Sequence, residues 1–309
     1  MRTIQPIRYL YVVSAALLLM TACRKDSAKP AADPTTSGAT GSDLVLTPAG
    51  LMSRANVHFI APGYVLSVEN GRLQKLEQGT GRMVEDFGEV KIEPRSAAAA
   101  SGWIAYTYWS NPNTSNAITD FTTNWIVPSV PSKQSSQTIF LFNGMQDGTT
   151  ASSYIVQPVL QWGPSAAGGG KYWSITNWYV SSSQAFFGTL VNVSAGASLQ
   201  GVIKQTAVSG SSYSYNSSFT GYSAASALQV NNVPEAFWAA ETLESYGVNT
   251  PSTEYPPNTD IAMSSIQILQ GTTNASITWT PVQAVSGSAQ KAVVVSNSSP
   301  GGLVDIYFR

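Results

Sequence analysis

The 309-residue chain has a single cysteine, a single histidine and few charges, and each scarcity removes a class of chemistry. With Cys23 as the sole cysteine no intramolecular disulfide can form. His58 lies in the N-terminal third, so residues 101–309 hold neither histidine nor cysteine. Ser-His-Asp and Cys-His catalysis lack a base there, and a zinc site built on those ligands is excluded. Formal net charge is −1, which leaves no basic face to neutralise phosphates and argues against a nucleic-acid partner. Lys and Arg number 11 in residues 1–100 but only 5 in residues 101–309, beside 8 carboxylates. A domain with so few carboxylates in ion pairs loses little when acid protonates them, which points to acid tolerance. Helical periodicity is scarce, and no repeat of 20–50 residues is present.

What is present begins with Arg2 and Arg8, an apolar run from Tyr9 to Met20, and Met20-Thr21-Ala22-Cys23. The run is short for a membrane span, and small residues before a cysteine resemble a lipoprotein cleavage site. Residues 1–22 read as a lipoprotein signal peptide and Cys23 as the lipidated N-terminus of an exported protein. That anchor would tie it to the cell envelope, at the outer membrane or cell surface. Residues 23–42, rich in Ala, Pro, Ser, Thr and Gly, read as a flexible linker. Residues 43–100 carry short apolar pieces, the hairpin signal Asn70-Gly71, and a Pro94-Arg95-Ser96 joint followed by four alanines. They read as a small β-rich propeptide-like or accessory segment, separate from the main domain and shielding its cleft. A strand extension of the main domain is the alternative of nearly equal weight.

Residues 101–309 form the main domain and hold all eight tryptophans. Runs of four to ten residues rich in Val, Ile, Thr, Tyr, Phe and Trp alternate with Gly, Pro, Asn and Ser clusters. This pattern predicts about a dozen strands and an all-β fold, a two-sheet antiparallel β-sandwich of the jelly-roll or concanavalin kind. Gly168-Gly169-Gly170 has no helix behind it and reads as a hairpin turn rather than a phosphate loop.

Acid–base work falls to the carboxylates Asp120, Asp147, Glu235, Glu241, Glu244, Glu254, Asp260 and Asp305. Asp120, Glu254 and Asp260 sit beside turn-like residues and Asp305 near the C-terminus, so solvated positions are expected for these four. Neither Asp-Thr-Gly nor Asp-Ser-Gly occurs. Glu241 stands out within Ala236 to Glu244, a mostly apolar strand whose period puts Glu241 and Glu244 on opposite faces. A carboxyl among aromatic and aliphatic neighbours is desolvated, which raises its pKa and suits it to shuttle a proton. A rim glutamate on a half-buried strand is the bland alternative.

The order of motifs resembles the glutamic peptidases, or eqolisins. The matching pieces are Val127-Pro128-Ser129, Phe142-Asn143-Gly144-Met145-Gln146-Asp147-Gly148, Val159-Leu160-Gln161 before Gly163, Asn177-Trp178-Tyr179, Val193-Ser194 before Gly196, and Ala236 to Glu244. They span about residues 118–270. The resemblance implies a sandwich of two large antiparallel sheets and a catalytic Gln-Glu dyad, here Gln161 and Glu241. Gln157 is a competitor four residues earlier on the same strand face. Phe142, Gln146, Asn177 and Trp178 fall where the family lines its substrate cleft. Phe142 replaces a tryptophan, Gln146 and Asn177 replace acidic residues, and the family's disulfides are absent.

The resemblance thus implies an acid-acting endopeptidase that needs no cofactor or metal. Glu241 would take a proton from the attacking water and return it to the leaving amine, while Gln161 holds the water and the oxyanion. Its partners would be protein or peptide substrates, met by a monomer on its lipid anchor. A carbohydrate-binding or adhesive sandwich, with Trp and Tyr stacking on sugars, is the alternative. A carboxylate glycosidase would require a second carboxyl near Glu241.

Overall fold

Alternating burial builds the elements, as in Trp103–Ser110, where Ala105, Thr107 and Trp109 are buried between half-exposed neighbours. The computed structural model describes residues 43–91, 102–113, 115–148, 152–222 and 227–309. The expected signal peptide, Cys23, the linker and the joint around residues 94–100 lie outside the described residues. Six strands come first: β1 (Leu44–Thr47), β2 (Gly50–Ser53), β3 (Val57–Phe59), β4 (Tyr64–Glu69), β5 (Arg72–Glu77) and β6 (Met83–Glu89). Then follow β7 (Trp103–Ser110), β8 (Ile118–Ile126), β9 (Thr138–Gln146), β10 (Tyr154–Ser165), β11 (Gly168–Ser181), β12 (Ala185–Phe187), β13 (Val191–Asn192) and β14 (Ser198–Ser209). The chain ends with β15 (Ser212–Phe219), β16 (Leu228–Val233), β17 (Trp238–Tyr246), β18 (Asp260–Gln270), β19 (Thr273–Asn274), β20 (Thr280–Gln283), β21 (Lys291–Ser296) and β22 (Gly302–Tyr307). Pro251–Glu254 is the one α-helix among the described residues.

The fold is all-β and two large sheets carry it. The front sheet runs β20-β7-β17-β9-β10-β11-β12-β3, with β13 beside β11. The back sheet runs β21-β22-β18-β8-β14-β15-β16-β4-β5-β6, with β19 beside β18. Phe121, Trp125, Ile203 and Tyr215 from the back sheet join Leu141, Leu160, Trp162, Trp173 and Tyr179 from the front sheet in one buried apolar core. A second apolar cluster covers the outer face of the front sheet: Phe140, Phe142, Ile155, Val159, Trp178, Val180 and Ala185. Ala49 and Met52 of the β1–β2 hairpin pack onto it, so this hairpin lies over the front sheet.

The described N-terminal strands do not stand apart from the main domain. They enlarge both sheets: β3 pairs with β12, and β4 pairs with β16. Those two pairings are the only parallel ones among the described residues, and they are short, with three and two residue pairs respectively. Asn70 and Gly71 adopt positive φ values of 53° and 77° between β4 and β5, the hairpin that their sequence predicts. Glu254, expected to be solvated, is instead buried. It accepts the backbone N–H groups of Asn249 at 2.5 Å and Thr250 at 2.6 Å and pairs with Lys133 at 2.8 Å, which holds its pKa down at about 2. A turn-like sequence here marks a buried anchor for the Asn249–Tyr255 loop rather than a solvated tip.

Candidate active site

Antiparallel register carries one row of side chains across the outer face of the front sheet. Glu244 of β17 lies opposite Trp103 of β7 on one side and Phe140 of β9 on the other. Phe140 lies opposite Gln161 of β10, and Gln161 opposite Ser174 of β11. Directly opposed residues in a ladder point to the same face, so Glu244, Phe140, Gln161 and Ser174 share it. Two strand spacings separate the Glu244 and Gln161 backbones, about 10 Å. The neighbouring row is Thr242, Phe142, Val159 and Thr176. An apolar floor thus lies between and beside two polar side chains.

The adjacent strand period sends Glu241 the other way. It is fully buried between the sheets, opposite Thr107 and Asn143, and Thr123 Oγ1 of the back sheet donates to its Oε1 at 2.5 Å. Desolvation pushes its pKa well above the usual carboxylate value, and the Thr123 hydrogen bond offsets this only in part. Asn177 also points inward, accepting a hydrogen bond from Ser217 Oγ at 2.6 Å, while Asn143 Nδ2 donates to the Phe121 carbonyl at 3.4 Å. Glu241, Asn143 and Asn177 are therefore inter-sheet polar groups. The expected pairing of Gln161 with Glu241 is corrected, since the two side chains leave opposite faces of one sheet, and Asn177 does not line a substrate surface. The desolvation expected for Glu241 is present, but its source is the core of the sandwich. The glutamate that shares the face of Gln161 is Glu244.

Of the other expected site residues, Phe142, Gln146 and Trp178 do lie on that face. Phe142 and Trp178 are fully buried in the outer cluster, and Trp178 packs against Phe187 at 5.2 Å between centroids. Gln146 sits at the far end of β9, where its Nε2 donates to the Gly148 carbonyl at 2.5 Å. Gln157 shares the face of Gln161, as its spacing predicts, and neither polar atom of its buried amide finds a partner among the described residues.

Glu244 is fully buried and accepts a hydrogen bond from Tyr246 Oη at 2.5 Å. Gln161 is held by the tip of the β10–β11 hairpin. Its Nε2 donates to the carbonyls of Gly163 at 2.7 Å and Gly168 at 2.9 Å, and Ser165 Oγ donates to its Oε1 at 2.9 Å. Glycine permits this closure: Gly163 and Gly168 have φ of 87° and 105°, and a Cβ on Gly169 would lie 2.4 Å from Gln161 Nε2. The tip is in turn fastened to the N-terminal hairpin by the Ala166 N–H, which donates to the Leu46 carbonyl at 2.7 Å. Gln161 and the floor beside it are thus covered from two sides, by the β10–β11 tip and by β1–β2.

Sequence reasoning missed that Glu244 shares the face of Gln161. The signal within reach was parity: Leu160 and Trp162 face the inter-sheet core, so Gln161 faces outward, and outward on β17 is the face of Trp238, Thr242 and Glu244.

No family model and no curated protein matches this chain. Among solved structures, the chain is similar to scytalido-glutamic peptidase with a peptide-based transition state analogue, at 14% identity and a TM-score of 0.43, over 70% of this chain and 100% of that one. It is also similar to SCP-B, a member of the eqolisin family, in complex with the tripeptide Ala-Ile-His, at 14% identity and a TM-score of 0.38, over 71% and 100%. A CBM2 module from the evolved Dit of Lactobacillus casei BL23 phage J-1 follows at 13% identity and a TM-score of 0.29, over 60% and 72%. These likenesses are too distant to assign chemistry to any residue.

Proposed function

We propose that the main domain hydrolyses peptide bonds in acid, with Glu244 as the proton shuttle and Gln161 as the amide that orients the water. The observation that carries this reading is the shared row, a carboxyl and a carboxamide on one face with Phe140 between them. In the reaction the Glu244 carboxylate takes a proton from water as the water oxygen attacks the scissile carbonyl. The Gln161 N–H donates to the oxyanion that forms. Protonated Glu244 then passes its proton to the leaving amine, and the C–N bond breaks. Phe140 and Phe142 keep bulk water from the carboxyl. Gln161 reaches substrate only when its amide exchanges the Gly163 and Gly168 carbonyls for the water and the oxyanion, so the hairpin tip must lift. The motif order described above supports a glutamine and a glutamate as the working pair but names Glu241, and the shared face replaces it with Glu244. The protein acts outside the cytoplasm, tethered through a lipid on Cys23, as a monomer on protein or peptide substrates.

The test compares Glu244→Gln with Glu241→Gln on an unfolded protein between about pH 2 and 7, with circular dichroism to confirm folding. Glu244→Gln is expected to lose at least about a hundredfold in rate, the usual worth of a positioned acid–base group, while Glu241→Gln keeps hydrolysis. A folded Glu244→Gln protein that cuts at the wild-type rate refutes the assignment. A folded wild type that cuts nothing but is retained on polysaccharide replaces the peptidase with a carbohydrate-binding sandwich.

A further inference from the structure

We infer that the aromatic strip formed by Trp103, Tyr106, Tyr108 and Trp238 is the subsite that selects substrate, taking large apolar side chains of an extended polypeptide beside the bond that is cut; this rests on the peptidase reading above. The strip follows from strand period. On β7 the side chains of Ala105 and Trp109 join the inter-sheet core, so Tyr106 and Tyr108 stand on the outer face beside Trp238 of β17. The four rings touch in sequence. Trp103 meets Tyr106 edge-on at 4.9 Å, Tyr106 lies 6.4 Å from Trp238, and Tyr108 stacks on Trp238 at 5.3 Å and 13°.

Two features separate this strip from ordinary core. Trp103, Tyr106 and Tyr108 remain partly exposed, whereas Phe140, Phe142 and Trp178 are fully buried beneath their cover. Three of the four rings, resting on the buried Trp238, leave an aromatic surface open to solvent, and such a surface marks a binding site. The strip is also continuous with the proposed catalytic row, because Trp103 is the register partner of Glu244 and meets Phe142 edge-on at 5.8 Å. From Trp103 to Tyr108 the strand rises about 17 Å, the length of five residues of an extended chain, of which alternate side chains can face the rings. Glu244 is the one charged residue on the outer face of β7 and β17, so the rings offer no partner for a charged substrate side chain beyond the catalytic carboxyl. Neutral aromatic and large aliphatic side chains fit this surface.

The experiment uses the full chain and quenched fluorescent peptides that differ only in Phe, Leu or Ala at the positions flanking the cleaved bond. A cleavage map of one unfolded protein by mass spectrometry accompanies it. Wild type is expected to favour Phe over Ala by about tenfold in kcat/KM, a factor equivalent to about 1.4 kcal/mol. In Tyr106→Ser/Tyr108→Ser that ratio falls toward one, chiefly through KM for the Phe peptide, and cuts in the map no longer cluster at aromatic residues. Tyr106→Phe/Tyr108→Phe keeps the preference, since the ring and not the hydroxyl makes the surface. Should the double serine variant fail to fold, Tyr108→Ser alone, at a half-exposed position, carries the same comparison. Hydrolysis that depends on Glu244 but keeps its Phe-to-Ala ratio in a folded serine variant overturns the strip and leaves the peptidase standing. Absence of hydrolysis by wild type overturns both.

Discussion

Replacing Glu241 with glutamine should remove one specific dependence of stability on pH. Glu241 is sealed between the sheets, and the groups facing it, Thr107, Asn143 and Thr123, are all neutral. Burial raises its folded-state pKa well above the ordinary value, so the folded protein holds a proton there that the unfolded chain releases near pH 4.3. The contribution is full below that pH and is lost as pH rises through the folded-state value. Between the two, the folded state binds one proton more than the unfolded state, and unfolding free energy falls by about 1.4 kcal/mol per pH unit. Each pH unit inside that window is a sizeable part of a typical 5–15 kcal/mol. A carboxamide matches the protonated carboxyl in shape, still accepts from Thr123 Oγ1, and does not titrate. Urea denaturation at intervals from pH 4 to 8 should show wild-type stability falling relative to Glu241→Gln as pH rises. Other raised carboxyls, Asp120, Glu235 and Asp305, act on both proteins alike and cancel in the difference. Parallel stability profiles for the two proteins would refute a buried, proton-holding Glu241.

Gly169→Ala should destabilise the closed hairpin tip by about 1–3 kcal/mol, because the residue has φ of 98° and its Cβ would press on Gln161 Nε2 and the Gly163 carbonyl; an unchanged thermal midpoint contradicts the closure described. Cys23→Ser should move the protein from the membrane fraction to the soluble fraction on cell fractionation, and continued sedimentation with membranes would dismiss the lipid anchor.

Much of the fold was legible because alternation of side chains is a local property. The strand at Trp103–Ser110, buried at Ala105, Thr107 and Trp109 between half-exposed residues, shows it. The opposition of Glu241 and Glu244 was legible for the same reason. Which of the two shares the face of Gln161 was not, because it depends on the register of β17 on β9 and of β9 on β10, and no single strand encodes its offset against a neighbour. A linear match of motifs selected Glu241, whose apolar neighbours proved to be the core of the sandwich. The place of residues 43–91 was hidden likewise. Short apolar runs announce strands but not that β3 and β4 would join β12 and β16 in parallel, the one pairing that no local turn can specify.

Those two parallel seams make the N-terminal segment a cap for strand edges. Without it, β12 and β16 would each end a sheet with a bare row of N–H and C=O groups, able to template pairing with another chain. With it, the back sheet ends instead at β6, which carries Glu85, Asp86 and Glu89 and is tied to β5 by Arg72–Asp86 at 2.9 Å and Lys75–Glu85 at 2.6 Å. The charge that the main domain lacks is thus concentrated where an edge needs protection. Loss of residues 43–91 would uncover two adhesive edges together with the outer face of the front sheet, so a shortened chain would stay dispersed when dilute and self-associate when crowded.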